Sequence, residues 1–99
     1  MTIRKTWAEK REEILGRSGA EEAYEAARIQ YELGRMVRRR REELGMTQAQ
    51  LAKAAGLKQP AVARFEAGGT TPTIPTLERI AAALALRLSV HLEPLSRAS

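Results

Sequence analysis

The chain has 99 residues, 17 Lys or Arg against 12 acidic residues and a formal net charge of +5, which leaves room for one domain with an extension and for no second core. It has no cysteine and a single histidine, so disulfide frameworks, thiolate nucleophiles and cysteine-ligated metals are excluded, and no acid–base pair or phosphate-binding glycine loop supports an enzyme. No apolar run approaches the ~20 residues of a membrane span and the first residues lack the core of a signal peptide, so the expectation is a soluble cytoplasmic protein with an anionic partner.

The charge is unevenly placed. Residues 1–33 carry six Lys or Arg against seven Glu, and residues 34–99 carry eleven against five, so the basic character belongs to the later part. Thr6 opens a first amphipathic stretch, with Glu9 three residues on as in a capping box, and Trp7, Ile14 and Leu15 as its isolated apolar side chains. "GRSG", ending at Gly19, breaks it. In "AEEAYEAARIQYELG", Ala20, Ala23, Tyr24, Ala27 and Tyr31 recur at helical steps, a stripe thin in bulk. Leu33, Met36, Val37 and Leu44 then predict a helix of about three turns closed by Gly45.

Thr47 caps the next helix, which turns Leu51, Ala52 and Ala55 inward as far as Gly56. Leu57 lies in the turn, and Pro60 suits the first turn of a following helix whose buried face is Val62 and Phe65. "TTPTIP" reads as a loop, and Thr76–Ala85 as a further helix through Leu77, Ile80, Ala81 and Leu84. The period then changes. Leu88, Val90 and Leu92 alternate with Arg87, Ser89, His91 and Glu93, the two-residue period of a strand. A lone strand needs a partner, and the same strand of a second copy supplies one, which predicts a homodimer. Antiparallel pairing about Val90 sets Arg87 against Glu93 and Leu88 against Leu92. His91 has no neighbouring ligand residues, so neither a metal nor a cofactor is expected.

Ala52, Gly56 and Val62 supply a small residue, a bend and a branched aliphatic where two short helices cross. "TQAQLAKAAG" followed by "AVARFEAG" resembles the XRE family, the Cro and lambda-repressor-like DNA-binding domains, over about Leu33 to Leu86. The resemblance implies a mainly α fold, with a five-helix-type helix-turn-helix domain over 33–86, an N-terminal helical extension over 1–32 and a dimerisation strand over 87–95. It implies double-stranded operator DNA as a partner. Thr47 and Gln48 would meet phosphate, Lys58, Gln59, Ala61 and Arg64 base edges, and Thr70 and Thr71 phosphate again. Those side chains suit the task, since Gln can bond adenine, Arg guanine and Ala a thymine methyl. Arg41 and Glu66 match an ion pair of some relatives. Pro60 and Ala63 depart from the usual small polar residues, which shifts the burden toward Arg64 and phosphate contacts. In the run Arg38–Arg41, Arg38 is assigned to phosphate and Arg41 to structure, while Glu42 and Glu43 offer the competing reading of a self-paired, solvated face.

The layout as a whole is similar to HigA-type antitoxins of bacterial toxin–antitoxin operons, in pattern alone at the amino terminus. That resemblance implies that the first third clasps a RelE/HigB-like ribonuclease toxin through Trp7, Ile14, Leu15, Tyr24, Arg28 and Tyr31, and that the dimer, joined by Leu88, Val90 and Leu92, represses its own operon. The alternative is a stand-alone regulator whose first third is a sensing or packing extension.

Overall fold

The computed structural model describes residues 19–95, and among them it shows four helices: α1 Gly19–Glu43, α2 Gln48–Ala55, α3 Gln59–Glu66 and α4 Ile74–Ala83. The first amphipathic stretch, with Trp7, Ile14 and Leu15, lies outside the described residues, and residues 33–86, expected to form a five-helix-type domain, contain four helices, the first of them shared with the extension.

Helix α1 corrects the expectation of two separate helical pieces. It runs unbroken for 25 residues, roughly 37 Å at 1.5 Å per residue, and passes through residues 32 and 33 without a kink-forming loop. Glu21 and Glu22 in its first turn and Arg40 and Arg41 in its last complement the helix dipole. Gly34 does not stop it. This glycine is where α1 meets the end of α3, so close that a Cβ there would stand 2.4 Å from the Phe65 carbonyl oxygen and 2.8 Å from that of Glu66.

Helix α2 has the expected Thr47 cap, whose hydroxyl accepts from the Gln50 amide at 3.0 Å while the Gln50 side chain accepts from the Thr47 amide at 2.8 Å. It ends at Gly56, whose φ of 71° is the left-handed turn that glycine adopts at no steric cost and that swings the chain into α3. Pro60 sits in the first turn of α3, as its missing amide proton allows. Helix α4 begins at Ile74, two residues before the expected start, because Thr73 is the cap and accepts from the Thr76 amide at 3.3 Å. Pro75, read from sequence as loop, belongs to that first turn.

Phe65, Leu51, Leu84 and Val62 are fully enclosed at the centre, with Val37, Ala52, Ala55 and Ile80 around them. Ala52 and Ala55 bring α2 close to its neighbours, as their small size requires. Two arginines close open helix ends: Arg40 donates to the Leu84 carbonyl at 3.0 Å and Arg79 to the Ala55 carbonyl at 3.1 Å. In contrast to this packed body, residues 19–29 of α1 are exposed on every side.

Residues 86–95 form no strand within the single chain, so the strand expected over 87–95 is not seen there. The physical reason is the one the alternation itself raises: no other described segment is extended beside them, and a strand exists only as a ladder with a neighbour.

Candidate nucleic-acid interface

The short helix α3 buries Val62, Phe65 and Glu66 and leaves Lys58, Gln59, Pro60 and Arg64 exposed, with Ala61 and Ala63 half-buried between them. Lys58 is the capping residue and Gln59 the first residue of the helix, so both stand at its amino-terminal end. Ala61 and Arg64, three apart, share one face. Among the described residues neither the Lys58 nor the Arg64 side chain has a partner, so both charges are held in water and available to an anion.

A chain of hydrogen bonds links this exposed face to the interior. The Arg41 guanidinium donates to both Glu66 oxygens, at 2.7 and 3.0 Å, and to the Met46 carbonyl at 2.8 Å. Gln48 Nε2 donates to Glu66 Oε1 at 3.0 Å, and Gln59 Nε2 donates to Gln48 Oε1 at 2.8 Å. Arg41 and Glu66 are buried, with relative exposures of 9% and 7%, so the pair is bidentate, dry and fully satisfied. Its hydrogen bonds to Glu66 raise the Arg41 pKa above its ordinary value against the opposing effect of burial, and the charge of Glu66 acts in the same direction. The ion pair expected from the resemblance is thus present and braces α1 against α3.

The start of α2 lies beside this chain. The Thr47 hydroxyl and the Thr47 and Gln50 amides are engaged in the capping box, which leaves the Gln48 and Ala49 amides at the positive end of the helix, where phosphate oxygens are favoured. On the other flank, Thr70 is half-buried and Thr71 exposed. The Thr71 hydroxyl accepts a hydrogen bond from Gln30 Nε2 and keeps its own proton to donate. A Cβ at Gly68 would lie 3.2 Å from the Tyr31 Cα, so the loop after α3 rests directly on α1. That contact is absent from any reading of the sequence, because residues 37 apart in the chain give no local signal.

Arg38 pairs with Glu42 at 3.2 Å, both more than half exposed. Arg40 likewise pairs with Glu43, at 3.6 Å. The structure therefore places Arg38 in a self-paired face as well as near the end of α3, where Arg35, Arg38, Arg39, Glu66 and Ala67 border one open hollow of about 390 Å³.

Of the residues assigned to a protein partner, Trp7, Ile14 and Leu15 lie outside the described residues, and Tyr24, Arg28 and Tyr31 are in the first part of α1. Tyr24, Arg28 and Tyr31 follow at steps of four and three, one stripe of the helix, with Tyr24 69% and Tyr31 52% exposed. Arg28 is held between Glu25 and Glu32, each at 3.0 Å, and those hydrogen bonds raise its pKa. Arg35 donates to the Tyr31 hydroxyl at 2.9 Å and lies 5.5 Å from the ring centroid. Among the described residues no helix is long and apolar enough to cross a membrane.

Comparison with known proteins agrees with this geometry. An HTH-type transcriptional regulator of Haemophilus influenzae is 44% identical over 50 residues, half of this chain, and the chain spans about half the length (51%) of that curated relative. The crystal structure of the restriction-modification controller protein C.AhdI of Aeromonas hydrophila superposes with a TM-score of 0.58 and 26% identity, over 59% of this chain and 88% of that one. A toxin–antitoxin module from Streptococcus pneumoniae superposes with a TM-score of 0.56 and 29% identity, over 95% of this chain and 97% of that one. The fold is thus the lambda-repressor-like arrangement of helices, with α2 and α3 as its helix-turn-helix. Residues 37–90 match the helix-turn-helix family HTH_3, and the chain belongs to that family of XRE-type DNA-binding regulators.

Proposed function

We propose that the protein is a dimeric operator-binding repressor and the HigA-type antitoxin of a type II toxin–antitoxin system, which neutralises a RelE/HigB-like ribonuclease with its first third. Three segments divide the work: 1–32 hold the toxin, 33–86 read DNA and 87–95 join two copies.

On the DNA side, α3 enters the major groove with Gln59 on adenine, Arg64 on guanine, Ala61 against a thymine methyl and Lys58 at the groove edge. Thr47 and Gln48 at the start of α2, Thr70 and Thr71 after α3, and Arg38 at the margin meet the phosphates. On the toxin side, the Tyr24, Arg28 and Tyr31 stripe, together with Trp7, Ile14 and Leu15, supplies the anchors. Glu21, Glu22, Glu25 and Glu32 on the same part of α1 match the cationic side chains a ribonuclease turns toward RNA. The tails pair antiparallel about Val90, with Leu88 and Leu92 beside it, and set two α3 helices on successive half-sites.

The observation that carries the antitoxin reading is the extent of the likeness to the Streptococcus toxin–antitoxin module. It spans 95% of this chain and so takes in the long helix and the tail, whereas the likeness to C.AhdI stops at 59%. Co-expression with the product of the neighbouring gene tests it. The expected result is a complex that co-elutes and no longer cleaves RNA, together with retention of a DNA fragment from upstream of the pair. Retention of that DNA with no complex would favour the second reading, a stand-alone regulator, which the likeness to the Haemophilus regulator supports.

A further inference from the structure

Between α1 and α4 the body carries an open apolar groove of about 260 Å³, walled by Met36, Val37, Leu77, Ile80 and Leu84, with Leu88 of the tail at its edge. Leu88 is half-buried there, but Val90 and Leu92, which share its side of an alternating segment, are 64% and 96% exposed. Met36 on the groove wall is itself 56% exposed. One chain therefore presents both an unfilled apolar groove and, a few residues beyond it, apolar side chains with nothing to cover them, each a cost in water.

We infer that Leu92 of a second copy fills this groove, and that each copy does so to the other. The inference rests on the dimer proposed above and adds to it where the tail goes. In antiparallel pairing about Val90, residues directly opposite stand on the same face of the ribbon, so Leu92 of the second copy is set beside Leu88, at the mouth of the groove. Charge agrees with this register. Arg87 borders the same groove and has no partner among the described residues, and the pairing brings it Glu93 of the second copy. Two-fold symmetry repeats the contact and closes the assembly at two chains.

The full chain has no cysteine, so introduced thiols report single contacts. Val90→Cys reports pairing of the tails, because Val90 faces its own copy across the two-fold axis. A mixture of Met36→Cys protein with Leu92→Cys protein, treated with a short bis-maleimide, reports occupancy of the groove. Both experiments are expected to give covalent dimers, the second as a mixed species identified by mass. Leu92→Asp is expected to leave helical circular dichroism unchanged, since the side chain is exposed within one chain, and to raise the dimer dissociation constant by roughly a hundredfold. Cross-linking at Val90 without the mixed Met36–Leu92 species would overturn the groove inference and leave tail pairing standing. A native dimer that cross-links at neither place would overturn tail pairing, and the groove inference with it.

Discussion

Replacing Gly34 by alanine sets two effects of opposite sign against each other, and the structure decides between them. Gly34 lies inside the 25-residue α1, where alanine is intrinsically the better residue by about 1 kcal/mol. The new Cβ would however stand 2.4 Å from the Phe65 carbonyl oxygen and 2.8 Å from the Glu66 carbonyl oxygen. Both neighbours are backbone at the end of a packed helix, and neither can rotate away. To restore an ordinary contact, α1 and α3 must separate by about 1 Å, and overpacking of a close-packed interior costs typically about 1–3 kcal/mol. With rigid atoms on both sides the upper end applies, leaving a net loss of about 2 kcal/mol after the helix gain. In a domain of this size that lowers the thermal midpoint by about 10 °C, readable by circular dichroism. Gly19→Ala, at a position with nothing within 4 Å, is the matched control and should leave the midpoint within a degree or two, about the range of a neutral surface change. A Gly34→Ala protein as stable as the parent, or more so, would refute the claim that this glycine exists for helix contact.

Glu66→Gln leaves Arg41 buried beside a neutral amide, and breaking such a pair from one side costs about 3–5 kcal/mol; a urea midpoint that implies less than about 1 kcal/mol would contradict the burial argument. Gln48→Ala removes the side-chain partner that Gln59 has among the described residues, so discrimination at the adenine proposed for Gln59 should fall roughly tenfold with little change at other positions, measured by competition with single-base operator variants. Arg64→Ala should cost about 1–3 kcal/mol at one base pair, and an equal loss on every sequence would show that Arg64 touches phosphate instead. Tyr24→Ala, on a side chain 69% exposed, should leave the melting curve unchanged and weaken the toxin complex at least tenfold by calorimetry, a value about that of an aromatic interface anchor.

What the sequence made legible was local. Thr47, Gly56 and Pro60 each act within one turn of chain, so the limits of α2 and α3 follow from residue type alone. The start of α4 was displaced because Thr73 and Thr76 are equally good caps on paper, and only the observed bond from the Thr76 amide to Thr73 chooses between them. The joining of the two expected helical pieces into one had a deeper cause. Gly34 lies against the backbone of a helix more than thirty residues away, a contact to which no local rule has access. The site divides in the same manner. The side-chain types on α3 were readable, and the Arg41–Glu66 pair came with the family likeness, whereas the Gln30–Thr71 bond and the coupling of Gln48 to Gln59 exist only once the helices have crossed.

That coupling has a direction, and the direction matters for what Gln59 can read. Arginine only donates, so Arg41 fixes Glu66 as the acceptor at the buried end. A carboxylate only accepts, so Gln48 must turn its Nε2 toward Glu66 and its oxygen toward Gln59. Gln59 must then give an N–H to that oxygen, which leaves outward its own Oε1 and its second N–H. One acceptor beside one donor is what the adenine edge requires, with its N6 amino group and N7. The orientation of an exposed amide, which in isolation would flip freely, is in this way set by the charge of an arginine buried in the domain, and the same bonds that brace α1 against α3 prepare the face proposed to meet DNA.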